Sequence, residues 1–162
     1  MRNATVWAGM LGVERSTVIE GVEFDDDAEV VVVAVRARKG AKGRCGLCQR
    51  RCPGYDHGEG RRRWRAPDLG LFRAFLEADA ARVECPEHGV VVASVPWARH
   101  GARHTVVFED TIAWLATRTS KSTLQLLGRI AWRTVGAIVA RVVAEGVGAR
   151  DPPRGPRPDR DR

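Results

Sequence analysis

The apolar positions change rhythm along the chain. Residues 28–37, AEVVVVAVRA, are dense in β-branched side chains and end in alternation, which predicts a strand, and the Gly and Lys positions at 40–43 then turn the chain. Between 61 and 84, RRRWRAPDLGLFRAFLEADAARVE, the signals divide: AFLEADAARV is rich in good helix formers, whereas LFRAF and ARVEC suit strands. VVVAS at 90–94 is a further strand candidate, closed by Pro96. After His104 the period lengthens. Phe108, Ile112 and Leu115 stand at i, i+4 and i+7, one face of a helix. A second helix is expected to open at Ser120 or Ser122, where Ser122 and Gln125 form an S-x-x-Q capping pattern, and to stop at Leu127 before Gly128. In RIAWRTVGAIVARVVAEG, a helix starting near Ala131 puts Val135, Ile138, Val139 and Val142 on one stripe, with Gly146 as its terminator. Residues 1–27 are weakly patterned, and their acidic run from Glu23 to Asp27 reads as a solvated loop. Residues 147–162 hold Pro, Arg, Asp and Gly with almost nothing apolar, so a disordered tail is expected there.

Charge changes the picture. The chain carries 27 Lys+Arg against 20 Asp+Glu, a formal net charge of +7, and arginine greatly outnumbers lysine. Arginine forks match phosphate oxygens and guanine edges, so a polyanion is the leading partner; a GC-rich coding sequence would also favour arginine but leaves the net charge in place. No apolar run approaches the roughly 20 residues of a membrane span, and the first residues lack the pattern of an export signal. No membrane partner and a cytoplasmic location are expected.

The four cysteines all lie between 45 and 85, which without an export signal favours metal binding or redox chemistry over disulfides. Cys45-x2-Cys48 and Cys85-x2-His88 are two knuckles with 36 residues between them. Each x2 spacing puts two side chains on one side of a tight turn, and two such turns can close a tetrahedron around one structural Zn²⁺. A redox Cys-x2-Cys and unliganded buried thiols compete with that reading. Cys52 and His57 lie within reach of the same site but are read as loop residues. Paired knuckles need hairpins to present them, which is why 71–84 is expected to form strands against its helix propensity. The expected architecture is α+β: an N-terminal segment with one strand (1–39), a β-rich zinc-ribbon finger (40–97), a basic linker (98–104), a three-helix helix-turn-helix unit (105–146) and the tail.

A short second helix, a turn at Gly128 and a third helix reproduce the order of a helix-turn-helix, whose last helix enters the major groove. With the valine stripe facing inward, Arg133, Ala137, Ala140 and Arg141 face outward. Arg129, Arg133 and Thr134 are candidates for base or phosphate contact, and Arg141, two turns on, for phosphate. A plain helical hairpin with a solvated arginine face is the competing reading. PWARHGARH at 96–104 reads as a mobile basic turn whose Arg99 and Arg103 would position the DNA backbone.

Taken in order, Cys45-x2-Cys48, PGYDHGEGRRRWRAPDLG, RVECPEHGVVVASVPWARHGARHT, FED, WLA and IAWRTVGAIVARV resemble the amino-terminal half of the ISL-three family of bacterial insertion-sequence transposases. The resemblance covers residues 28–146. It implies a zinc ribbon with Cys45, Cys48, Cys85 and His88 as ligands, and a helix-turn-helix that binds double-stranded DNA at the element's terminal inverted repeats, with an intact transposase or a second copy of this chain as a further partner. In that family a ribonuclease-H-like core with three acidic residues follows. After Val147 no apolar strand carries a first acidic residue, and Asp151, Asp159 and Asp161 sit in the Pro/Arg tail. A truncated, DNA-binding, non-catalytic chain is therefore expected, and a zinc-ribbon module that binds protein or a repressor-like DNA-binding protein is the alternative.

Overall fold

Val31, Val33, Val35 and Ala37 alternate along one side of their strand and are buried, so the apolar run forms β2 (Val30–Ala37). The computed structural model describes residues 2–13 and 15–146; they divide into two units, one ending at Val106 and the other starting at Val107. The expected disordered tail, with Asp151, Asp159 and Asp161, lies outside the described residues.

The first residues differ from the loop-like segment expected of them. They form helix α1 (Arg2–Leu11) and strand β1 (Thr17–Asp25), so the segment before residue 39 holds a helix and two strands. Glu23 and Asp25 belong to β1, where their side chains face solvent while the backbone pairs with Val32 and Val30. Backbone pairing tolerates charge on an open sheet face, which the charge pattern alone concealed.

β4 (Arg61–Arg65) and β5 (Arg73–Asp79) complete a sheet of order β1-β2-β5-β4, in which β2 and β5 run parallel and the other pairs antiparallel. β5 alternates as a strand should, with Ala74, Leu76 and Ala78 buried, so tertiary pairing overrides its helix propensity. β4 was hidden by its composition. Its outward Arg61 and Arg63 share Glu77 on β5, at 3.0 and 2.8 Å, while Trp64 turns inward and meets Trp97 edge to face at 5.6 Å. Leu11 and Val13 cover this core. The expected division at residue 39 thus falls within one sheet. A second sheet, β3-β6-β7, holds β3 (Gly54–Asp56), β6 (Arg82–Cys85) and β7 (Gly89–Val92).

The mobile basic linker is also replaced by packed chain. Trp97, Ala98, Arg99, Ala102 and Thr105 are buried, the Arg65 N–H donates to the Arg103 carbonyl at 2.9 Å, and the Thr105 N–H donates to the Arg65 carbonyl at 2.8 Å. A tryptophan and two alanines give this stretch enough apolar surface to dock beside β4, and its backbone finds partners there.

The second unit contains α2 (Val106–Ala116), α3 (Lys121–Gly128) and α4 (Trp132–Ala144). Phe108, Ile112, Leu124, Val135, Ile138 and Val142 form its core, with Leu115 and Val139 partly buried against it. Ser120 is the cap of α3, its hydroxyl accepting from the Thr123 N–H at 3.2 Å. Arg129 follows in the left-handed conformation at φ 49°, and a Cβ at Gly128 would stand 2.8 Å from Ile112 Cδ1, so a larger residue there would make that side chain shift. No described helix is long and apolar enough to cross a membrane.

Arg141 departs from its expected outward, phosphate-facing position. Its Nε and Nη2 donate to Oε1 of Glu109 at 3.0 and 2.6 Å, and Glu109 is fully buried on α2. A buried carboxylate needs a cation, and Arg141 is the one that reaches it from α4. Arg141→Ala should therefore destabilise the second unit by about 2–4 kcal/mol, read as a lowered urea midpoint of its helical signal, because it strips a buried charge of a partner. The pair-replacing variant Glu109→Gln with Arg141→Met should recover a large part of that loss.

Candidate metal centre and nucleic-acid interface

Two turns carry the metal donors. Cys45 lies in a knuckle where the Cys45 N–H donates to the Arg50 carbonyl at 2.9 Å, the Gln49 N–H to the Cys45 carbonyl at 3.0 Å and the Leu47 N–H to the Cys45 Sγ at 3.4 Å. Cys85 ends β6 and pairs with Gly89 across the β6–β7 hairpin, so Cys85 and His88 project from one tight turn; Gly89 at φ 67° closes it. An isolated bridge between Cys45 and Ala93 ties the first knuckle to the chain just beyond β7.

The donor atoms of Cys45, Cys48, Cys85 and His88 all lie within 4.8 Å of one another. Cys48 Sγ is 3.7 Å from Cys85 Sγ, and His88 Nδ1 is 3.7 and 3.6 Å from the sulfurs of Cys45 and Cys85. Zn–S bonds of about 2.3 Å and Zn–N bonds of about 2.0–2.1 Å imply tetrahedral edges of about 3.8 Å between sulfurs and about 3.5 Å from sulfur to nitrogen. The donor set and spacing fit one Zn²⁺. Four protein donors complete the tetrahedron, so the zinc is structural. Cys52 stays outside this group, with its thiol on the Arg50 carbonyl at 3.4 Å, and His57 is an exposed residue just after β3.

The electrostatics suit a cation. Burial pushes the Cys85 thiol up, but the Glu87 and His88 backbone and the His88 ring outweigh it and bring it down to about 6. A backbone hydrogen bond at Cys48, joined by the one from Leu47, lowers Cys45. The hydrogen bond with Cys85 raises His88 above its ordinary value. Thiolate character at Cys45 and Cys85 is what Zn²⁺ requires of its ligands. At Cys48 the Arg50 backbone hydrogen bond lowers the thiol, but burial and the neighbouring Cys45 and Cys85 sulfurs outweigh it and raise the thiol.

One structural residue of the site carries no sequence signal beyond its place inside the knuckle. A Cβ on Gly46 would stand 2.2 Å from His100 Nδ1 and 2.6 Å from the Val92 carbonyl oxygen. His100 therefore packs against the knuckle rather than serving as a donor.

In the second unit, Arg133 is exposed in the first turn of α4 and Thr134 is half-buried beside it; Ala137 and Ala140 continue the exposed face, opposite Val135, Ile138 and Val142. Arg129 is exposed immediately before α4. Among the sequence candidates in the former linker, Arg103 is exposed but Arg99 is buried at 8 % exposure, which removes it from reach of a phosphate.

Residues 41–88, which contain all four donors, match a family model described as the zinc-finger of transposase IS204/IS1001/IS1096/IS1165, and residues 93–143 match the helix-turn-helix domain of transposase family ISL3. The chain carries the zinc-ribbon and helix-turn-helix domains of the amino-terminal region of ISL3-family transposases. It is 52% identical over 149 residues to the transposase for insertion sequence element IS1557 of Mycobacterium tuberculosis, in strains CDC 1551 and H37Rv alike. The similarity covers 90% of this chain and 34% of each relative, so the chain spans about a third of the length of the curated relatives it matches. No solved structure matches it.

Metal analysis of the ISL3-family chain should find one zinc, lost on Cys45→Ser or Cys85→Ser and kept on Cys52→Ser. Gly46→Ala should lower zinc affinity on the order of tenfold in a chelator competition, since the Val92 backbone cannot move aside and the knuckle must shift; an unchanged affinity would show that the close approach does not hold the ligands.

Proposed function

We propose that this chain recognises the terminal inverted repeats of an insertion sequence, with α4 as the helix that enters the major groove. The observation that supports this is the exposed face of α4. Arg133 stands in its first turn beside Gly136, Ala137 and Ala140, small residues that let a helix approach base edges closely. Arg133 reads a base edge, Thr134 and Arg129 flank it at the base or the phosphate, and Arg103 meets the backbone. Glu109 holds Arg141, so Arg141 positions α4 against α2 and is not assigned to the DNA.

Titration of an inverted-repeat duplex and a scrambled duplex tests the assignment. Arg133→Ala should cost about 1–3 kcal/mol on the repeat and little on the scrambled sequence. Equal weakening on both would reduce Arg133 to a phosphate contact, and no effect on either would leave the three helices as a hairpin without a role in reading DNA.

A further inference from the structure

Much of the positive charge in the first unit is spent inside the fold. Arg36 pairs with Glu20 at 2.9 Å, Arg61 and Arg63 share Glu77, Arg65 pairs with Asp68 at 2.5 Å, and Arg82 pairs with Asp56. One stretch carries more cations than its ion pairs, Arg36 with Glu20 and Arg50 with Glu87, neutralise. Residues 30–55 contain seven Lys or Arg and no Asp or Glu. Within it, Arg38 follows β2 and Arg44 precedes the first zinc ligand, and the fold brings both to a cleft of about 520 Å³ that Arg15 also lines. These three arginines come from three separate segments, and no carboxylate is among the described residues lining the cleft. Ser16, Gln49 and Ser94 add neutral polar groups to its wall.

The cleft is also built, not incidental. The Arg38 N–H donates to the Ser16 carbonyl at 2.8 Å and the Ser94 N–H to the Arg44 carbonyl at 2.8 Å, which fixes the backbone on three sides. The Arg44 Nη1 donates to the Gln49 carbonyl at 3.1 Å, so its guanidinium is held in place with donors to spare. Arg15 and Arg38 have no ion-pair partner among the described residues, and Arg44 is adjacent to Cys45, so the metal centre sets the position of one wall. Like charges brought together without a counter-charge are destabilising unless an anion joins them.

We propose that this cleft is a second DNA contact, a phosphate clamp that grips the duplex backbone without reading sequence. It rests on the DNA-binding reading above and assigns to the zinc-bearing unit a share of the affinity. Each phosphate contact contributes about 0.9 to the steepness of log affinity against log salt, and removing the contact takes that share away. The test measures that slope for the full chain on inverted-repeat and scrambled duplexes, with Arg15→Ala, Arg38→Ala, Arg44→Ala and the charge-keeping Arg38→Lys. Each alanine variant should reduce the slope by about 0.9 on both duplexes, and Arg38→Lys should retain it. Arg73→Ala, an equal charge change outside the cleft, should leave the slope as it is. Zinc content and helical signal check folding, and if Arg44→Ala loses zinc, Arg15 and Arg38 carry the test. Parental slopes in the alanine variants would overturn the clamp, and if the parent still prefers the repeat, the reading by α4 stands. Lowered slopes in a parent that does not prefer the repeat would support the clamp and reject the reading by α4. No binding to either duplex at low salt would overturn both.

Discussion

The constraint on which the first unit depends is the closure of one tetrahedron by two turns distant in sequence. Between Ala37 and Trp64, Cys45 is the one buried hydrophobic residue among those described. A segment of that length with so little apolar burial cannot offset its conformational entropy by packing. The zinc supplies what the core does not, on the order of 10 kcal/mol, and does so only when both knuckles are in register. Every feature near the metal follows from that closure: the approach of His100 and the Val92 carbonyl to Gly46, the bridge from Cys45 to Ala93, and the placement of Arg44 and Gln49 on the wall of a basic cleft.

The second unit solves its stability problem by other means. Its three helices bury Phe108, Ile112, Leu124, Val135, Ile138 and Val142, and need no metal to do so. Within that apolar setting sits Glu109, fully buried and held by Arg141. A buried ion pair gains little net energy over an apolar substitute but is demanding in geometry. It therefore fixes which turn of α4 faces α2, and by the same rotation which residues α4 shows to solvent.

Arginine has two uses in this chain. On β4 and β6 it satisfies Glu77, Asp68 and Asp56, and over Trp64, Phe75 and Tyr55 its guanidinium groups also lie within about 5.5 Å of the ring centroids. Arg15 and Arg38 at the basic cleft and Arg133 on the exposed face of α4 have no ion-pair partner among the described residues. Net charge alone says that a polyanion is favoured; the distribution of ion pairs says which arginines are left without a counter-charge among the described residues.

The two x2 spacings, the helical stripe from Val135 to Val142 and the glycine that ends α3 were legible because each encodes a local geometry: two donors on a turn, one face of a helix, one backbone position without a Cβ. The strand character of β5 was legible only by way of the metal, since AFLEAD alone favours a helix and the demand for hairpins behind paired knuckles reverses it. What the chain could not show locally were facts about partners far away in sequence. The β-strand in RRRWR exists because Glu77 and the docked 97–105 segment receive its arginines and backbone. Arg99 is buried and Arg141 turned inward because a carboxylate or a packed wall awaits them, while side-chain type and helical phase alone place both in solvent. Local periodicity determines which face an element buries, and the sequence determined that much; which charge finds which counter-charge depends on distances that only the folded chain brings into being.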